Sequence, residues 1–404
     1  MKDKHRDLKL KQWSDAPPGQ VYEAFTSATA LTEWLCDVAQ ADAHPGGRLY
    51  LWWSNGYYAS GEFVEFTPHE RILFAWHGRQ EPGATHVQVL LKPEQNGTRL
   101  SLAHLEIGSG KVWSQPRRQY ARGWKQALAN LKSVLETGRD LRLVHRPMLG
   151  VTGLEEVTPA MAQQLGLPLK AGVRLLGVVD GAGAQAAGLQ QDDILVKVAG
   201  QKVATPDDLH NVLDAYHAGD PVKVTYFRYG QREKVKLVLS PRPVPEVPLS
   251  IDELAASVRQ SHLGMANDLD DICRELCDAH ADFHPAPGAW SVKEILAHLI
   301  AVERETHAWI AGLLAGQTTE IGSRARQPAR LAATIAALPT PEALRSELKR
   351  NQAETLALVE GLPPEFVARK GSYWRMGQLL LMMPAHFQVH LAQIRANLEA
   401  AVIA

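Results

Sequence analysis

The sequence predicts a multidomain α+β chain: an α+β unit, a β-barrel-like unit with short capped helices, and an all-α four-helix bundle. Three observations carry this reading. Helices, strand-like runs and one long amphipathic helix follow one another in the first third. Short strands separated by turn residues fill the middle. Beyond a proline-rich stretch the pattern is helical to the end. A length of 404 residues suits two to four domains, and 45% hydrophobic with 22% charged residues is the composition of folded protein.

The bulk numbers also exclude classes. A formal net charge of −1 gives no global field to recruit nucleic acid or a membrane surface. Cys36, Cys273 and Cys277 are too few for a disulfide scaffold and fit a reducing compartment. The stretch from Met1 to Lys9 is charged and lacks an apolar core, so no signal peptide is expected, and no uncharged apolar run suits a bilayer. A cytoplasmic protein is expected.

In the first unit, Val21–Phe25 and Leu31–Leu35 read as short helices after Pro17-Pro18. Strands are expected at Arg48–Trp53, after the turn residues His44-Pro45-Gly46-Gly47, and at Gly61–Phe66 and Arg71–Trp76 around Thr67-Pro68. Val87, Val89 and Leu91 share one face of the next strand, and Asn96-Gly97 is a hairpin signal into Thr98–Ile107. Trp124, Leu128, Leu131 and Leu135 recur at helical spacing in a closing helix over Trp113–Gly138.

Several of these residues carry a resemblance: Val21-Tyr-Glu-Ala-Phe, Glu33-Trp34, Pro45-Gly46-Gly47-Arg48, Gly61-Glu62, Glu70-Arg71, Gly97-Thr98-Arg99 and Gly123-Trp124. Residues 1–142 resemble the SRPBCC (START-like, helix-grip) superfamily, in the branch related to the activator of heat-shock-protein ATPase. The resemblance implies a cavity between sheet and long helix, with Trp52, Trp53, Tyr57, Tyr58, Trp76, His104 and Trp113 as candidate lining. Pocket and core share that composition, so both readings stand. A small hydrophobic ligand or a partner protein is implied.

In the middle unit, Thr158 reads as the N-cap of a helix through Leu165, with Pro159 at its first position. Thr205 caps a second helix, whose first turn carries Asp207 and Asp208. Strands Val222–Tyr229 and Glu233–Leu239 form a hairpin over Gly230-Gln231. The order Ala187-Gly188-Leu189, Asp193-Ile194-Leu195, Gly200-Gln-Lys-Val203 and Thr205-Pro-Asp-Asp-Leu209 resembles a PDZ domain of the bacterial HtrA type over residues 143–243. One departure is Asp192, where that family usually has glycine.

The resemblance makes Met148, Leu149, Gly150 and Val151 the carboxylate-binding loop: consecutive amides with a glycine admit a peptide's terminal carboxylate. The bound C-terminal tail would add as a strand, with Leu209, Val212 and Leu213 lining its side-chain pocket. A PDZ unit serving only as a spacer is the other reading. The chain has no Gly-x-Ser-x-Gly motif, so no peptidase is expected.

Pro241, Pro243, Pro245 and Pro248 predict an extended, semi-rigid spacer. Residues 250–404 then give four helices. Ser250–Glu253 and Ser291–Glu294 are capping boxes, Thr340-Pro341-Glu342 starts the third helix, and the fourth covers about 376–400. Leu254, Val258, Leu263, Leu269, Ile272 and Leu276 are the expected apolar face of the first. His386 and His390, four apart, project from one face of the last helix, and His298 lies two turns into the second.

Three neutral imidazoles on two packed helices are a ligand set for a divalent metal, with positions left open. Zinc is the first expectation, with nickel or iron as alternatives. The bland alternative is three surface or satisfied core histidines. His280, His284 and His307 fit no closed set and are expected in solvent; Cys273 and Cys277, four apart, read as buried small hydrophobes.

Pro287-Gly288-Ala289-Trp290-Ser291, Glu294–Leu299 and His386-x-x-x-His390-Leu391-x-Gln393-Ile394 resemble the DinB/YfiT-like superfamily. Its usual metal triad falls on His298, His386 and His390, and its members include metal-dependent thiol transferases. Phe387 stands where several members carry a polar or acidic residue. Two function classes follow. One is a metal-dependent transferase or hydrolase activating a thiol or water. The other is a non-enzymatic stress or adaptor protein that binds tails through the PDZ unit and a ligand or partner through the helix-grip unit.

Overall fold

The computed structural model describes residues 7–164, 166–274, 276–286, 288–317 and 323–403. Leu165, Pro287 and the N-terminal residues through Arg6 lie outside the described residues.

The first unit runs β1 (Leu8–Ser14), α1 (Pro18–Thr26), α2 (Ala28–Trp34), β2 (Val38–Ala41), β3 (Arg48–Trp52), β4 (Tyr58–Thr67), β5 (Arg71–Gly78), β6 (Thr85–Glu94), β7 (Gly97–Leu105), α3 (Ser114–Thr137) and α4 (Leu141–Val144). The strands form one seven-stranded antiparallel sheet in the order β1-β7-β6-β5-β4-β3-β2. Alternation turns Ile72, Phe74 and Trp76 inward, where α3 adds Trp124, Leu128, Leu131 and Val134. Gly138, at φ 76°, ends α3 in the left-handed conformation.

Two strands, β1 and β2, were not legible in the sequence. The β6–β7 turn also differs: Glu94 pairs with Gly97, so Gln95 and Asn96 make the turn, with Gln95 at φ 56°. Gly97 is required for close approach instead, since a Cβ there would fall 2.1 Å from the Ser14 carbonyl oxygen.

The middle unit contains β8 (Pro147–Met148), β9 (Val151–Val157), α5 (Pro159–Gln164), β10 (Gly172–Val178), α6 (Gly183–Ala186), β11 (Ile194–Val198), β12 (Gln201–Lys202), α7 (Pro206–Leu213), β13 (Pro221–Arg228), β14 (Gln231–Val238) and β15 (Ser240–Pro241). Its main sheet runs β14-β13-β11-β10-β9, so β9 is an edge strand. Thr205 and Asp208 form a capping box on α7. The β13–β14 turn is Tyr229-Gly230, both at positive φ, one residue earlier than expected. Asp192 sits at φ 71°, which is why glycine suits that position; its carboxylate is held by Arg174 Nε at 2.9 Å. The short strands β8 and β15 pair with each other, bringing the two ends of the unit together.

The last unit is built on α8 (Ile251–Ile272), α10 (Val292–Leu314), α12 (Pro341–Glu360) and α14 (Lys370–Ile403). The shorter α9 (Asp278–Asp282), α11 (Pro328–Ala337) and α13 (Pro364–Ala368) fill its connections. The helix α8 stops at Ile272, leaving Leu276 outside it, and Leu263 is 59% exposed, so neither belongs to the expected apolar face. Cys273 is buried at the helix end, whereas Cys277 is exposed. The proline-rich stretch is not a free spacer throughout: Pro241 belongs to β15, and Val247 packs into the core that includes Leu380 and Met376.

The fourth helix begins six residues before its expected start, and that extra length lies on the first unit. Arg375 donates to the Thr32 carbonyl at 2.6 Å and pairs with Asp140 at 3.1 Å. Asp140 is 1% exposed and also takes Arg142 and, at 2.9 Å, the Asn130 amide. Ser372 bonds Glu33, and Lys370 Nζ donates to the Glu136 carbonyl at 2.9 Å.

Candidate metal centre

His298 owes its position to a local signal. Ser291 and Glu294 exchange hydrogen bonds and start α10, which places residue 298 two turns in. The ring is 2% exposed. Its Nδ1 lies 3.0 Å from the Ala325 carbonyl, which can only accept, so Nδ1 carries the proton. The lone pair is therefore on Nε2, which is buried and has no hydrogen-bond partner among the described residues.

On α14, His386 and His390 bring their Nε2 atoms to 3.1 Å. His390 Nδ1 lies 2.8 Å from Gln393 Oε1, an acceptor that puts the His390 proton on Nδ1 and its lone pair on Nε2. Ligand atoms of all three histidines lie within 4.8 Å of one another. Two nitrogens bound to one zinc at about 2.0–2.1 Å stand roughly 3.3 Å apart in tetrahedral geometry, so the His386–His390 pair has the span of a chelate. Trp290 walls the cluster, its ring 5.0 Å from His298 and nearly parallel to His390. Asn397 Nδ2 fixes that residue by donating to its carbonyl at 2.7 Å.

Burial holds all three imidazoles below their ordinary pKa, with mutual repulsion and the Arg326 charge adding to it for the α14 pair, both of which sit at about 4. They are neutral at pH 7, the form that ligates metals. The residues fit a divalent metal: an all-imidazole set with two tautomers fixed by outer hydrogen bonds, and a buried lone pair without a partner. Phe387 is 4% exposed and packs into the core. The other histidines stand apart: His284 is exposed beside Glu294, and His307 bonds Thr355 at 2.8 Å.

The PDZ-like loop has its own geometry. Gly150 is at φ 88°, and a Cβ there would meet the Ala182 Cβ at 2.3 Å. The carbonyls of Leu149 and Gly150 accept from Ala184 and Val179 at 2.8 and 2.9 Å. Among the described turn and loop bonds neither residue's amide donates to a backbone carbonyl. The loop leads into the edge strand β9, and Leu209, Val212 and Leu213 are buried in one cluster with Leu149. Met148 and Val151 are half-buried.

In the first unit Trp76 and His104 are buried, Trp53 and Tyr57 pack on their edge, and Trp52 lies on the strand face opposite Leu49 and Leu51. The Trp124 indole donates to His104 Nδ1 at 3.1 Å, which leaves Nε2–H to donate to Thr85 Oγ1 at 2.7 Å. Burial holds His104 neutral, at about 3. Glu81, which accepts from Tyr57 at 2.6 Å, carried no signal in the sequence.

Comparison with known proteins agrees with three units. Residues 15–136 match the family model described as activator of Hsp90 ATPase homolog 1-like protein, 147–239 match the PDZ domain, and 262–394 match the DinB superfamily. A serine protease Do-like HtrA of Lactococcus lactis is 34% identical over 101 residues, 24% of this chain and 25% of that protein. A probable periplasmic serine endoprotease, DegP-like, of Pseudomonas fluorescens is 31% identical over 124 residues, 30% of this chain and 26% of that protein. The chain thus spans about a quarter of the length of these curated relatives. A solved structure of an HSP90 activator from Plasmodium falciparum is 26% identical, covers 32% of this chain and 95% of that chain, and has a TM-score of 0.27. Among the described residues no helix is long and apolar enough to cross a membrane.

Proposed function

We propose, for a chain that carries an Hsp90-activator-like domain, a PDZ domain and a DinB-superfamily bundle, that the bundle holds a divalent metal on His298, His386 and His390 and works as a transferase or hydrolase. The observation that carries this reading is the convergence of the three imidazoles within 4.8 Å, with the buried His298 lone pair unpartnered among the described residues. Zinc suits the ligand set best, with nickel or iron as alternatives. Bound there, the metal supplies Lewis acidity that makes a thiolate or hydroxide available at neutral pH.

The chain's own residues do the rest. The Ala325 carbonyl and Gln393 hold two lone pairs inward, and Trp290 keeps water from one side of the cluster. Three neutral donors leave the metal's charge uncompensated, which favours an anionic fourth ligand such as a thiolate. Three unpaired cysteines support a reducing, cytoplasmic setting.

The test is elemental mass spectrometry of the purified protein beside the His386→Ala/His390→Ala double variant, repeated after loading with zinc. Near-stoichiometric metal in the wild type, lost in the variant, is expected. No metal in the wild type after loading would sink the proposal.

A second reading is favoured by the amides of Leu149 and Gly150, which donate to no backbone carbonyl among the described turn and loop bonds. The PDZ domain takes C-terminal tails on β9, and the first domain takes a hydrophobic ligand or a partner, as in a stress adaptor. The two readings are compatible, since they use different domains.

A further inference from the structure

The metal centre carries one charge that works against it. Ala325, whose carbonyl lies 3.0 Å from His298 Nδ1, is 2% exposed and belongs to a single turn of 3-10 helix, Ser323–Arg326, packed on α10. The next residue, Arg326, therefore leaves the backbone one hydrogen bond and one imidazole width from the ligating nitrogen, and its side chain is exposed. Beyond the burial that dominates, the Arg326 charge disfavours a proton on His298, His386 and His390 alike. By the same repulsion it disfavours a metal cation held between them. Among the described residues Arg326 has no salt-bridge partner, whereas its neighbour Arg330 holds Glu305, a carboxylate that acts on His298, at 2.6 Å. An arginine in this place costs metal affinity, and three neutral imidazoles offer nothing to offset it. A substrate that brings two negative charges offsets both cations.

Resting on the reading of the bundle as a metal centre that takes a thiolate, we propose that Arg326 binds a second anion on the same molecule, so that the substrate is a thiol bearing a carboxylate. The thiolate takes the metal, and the carboxylate takes the Arg326 guanidinium, whose planar fork matches it. A neutral thiol of the same size meets the metal alone. Because the side chain is exposed, the second contact is screened by salt and is worth several-fold in affinity rather than orders of magnitude. No spacing in the sequence links Arg326 to the histidines; the bond from His298 to Ala325 does.

The experiment loads the full chain with cobalt and titrates it with mercaptopropionate and with its methyl ester, reading the thiolate-to-cobalt charge-transfer band. The acid is expected to bind about fivefold tighter than the ester, a preference that narrows as salt is raised. With Arg326→Gln the two thiols should bind equally, at the level of the wild type with the ester; Arg326→Lys should keep part of the preference. The same Arg326→Gln change should tighten cobalt itself about twofold or more in competition with a chelator, since it removes a repulsion. A residue that only shaped the turn would loosen the metal instead. Equal wild-type affinity for acid and ester, a preference that survives Arg326→Gln, or bound cobalt that gives no thiolate band with either thiol would each overturn the inference and leave the metal centre standing. A chain that takes up no cobalt would overturn both.

Discussion

Replacing Glu303 with glutamine should stabilise the bundle at pH 8 and change little at pH 5. Glu303, on α10, is 3% exposed and accepts from Thr355 Oγ1 at 2.6 Å. Burial pushes its carboxyl up from 4.5 to about 7, and the Thr355 bond offsets only part of that. Below pH 4.5 folded and unfolded chains both hold the proton, and the group adds no pH dependence. Between 4.5 and 7 the unfolded chain releases its proton while the folded chain keeps it, so stability falls as pH rises. Above 7 the penalty is complete and amounts to about 3 kcal/mol. Glutamine keeps an acceptor for Thr355 and has no proton to lose. A domain of this size shifts its Tm by about 2–4 °C per kcal/mol. The gap between variant and wild type should therefore open by roughly 5–10 °C between pH 5 and pH 8, read by circular dichroism at 222 nm on the full-length proteins. A gap that stays constant across that range refutes the argument.

Other perturbations have equally definite outcomes. Gln393→Ala removes the acceptor that fixes the His390 tautomer and should weaken metal binding about tenfold or more, read by competition with a chromophoric chelator, while the fold stays intact by circular dichroism. Asp140→Ala leaves Arg142 and Arg375 facing each other without their carboxylate and should cost about 3–5 kcal/mol in denaturant unfolding. Asp192→Gly removes a left-handed non-glycine residue, a gain of about 1 kcal/mol, against a weaker loss from its surface contact with Arg174; a small net rise in the PDZ domain's unfolding midpoint is expected.

The sequence displayed what is local. Capping residues marked the starts of α7, α10 and α12, and alternation marked the inner face of β6. The i, i+4 spacing and the Ser291 box were enough to name the three histidines that share a cluster. What it hid depends on distant partners. The strand β1 carries Lys9 and Lys11 among its seven residues, and is recognisable only by its pairing with β7, Leu8 opposite His104. Gly97 reads as a turn residue because its real constraint, the Ser14 carbonyl, comes from that same pairing. Leu263 fits the helical spacing of its neighbours and still faces solvent, since periodicity gives a face and not its neighbour. Gln393 stood three residues after His390 in the run that carries the resemblance, but its role shows only in the bond to His390 Nδ1; the Ala325 carbonyl and Glu81 carried no signal, because a hydrogen-bond partner supplied from another turn or loop has no fixed spacing. The first turns of α14 were missed for the same reason: Ser372 and Arg375 look like solvent residues until Glu33 and Asp140 are placed against them.

Order along the chain is not order of assembly. Because β8 and β15 are hydrogen-bonded neighbours, the polypeptide leaves the first domain and returns to the third at nearly one point. The PDZ domain is in that sense a cassette carried on a two-strand stem. Closing Arg146 to Arg242 with a few glycines would excise it at little loop-closure cost. The Hsp90-activator-like domain and the bundle, strangers in sequence, would keep their common face through Asp140 and Arg375. An attempt to cut the chain at its most obvious linker would instead separate the two parts that hold each other.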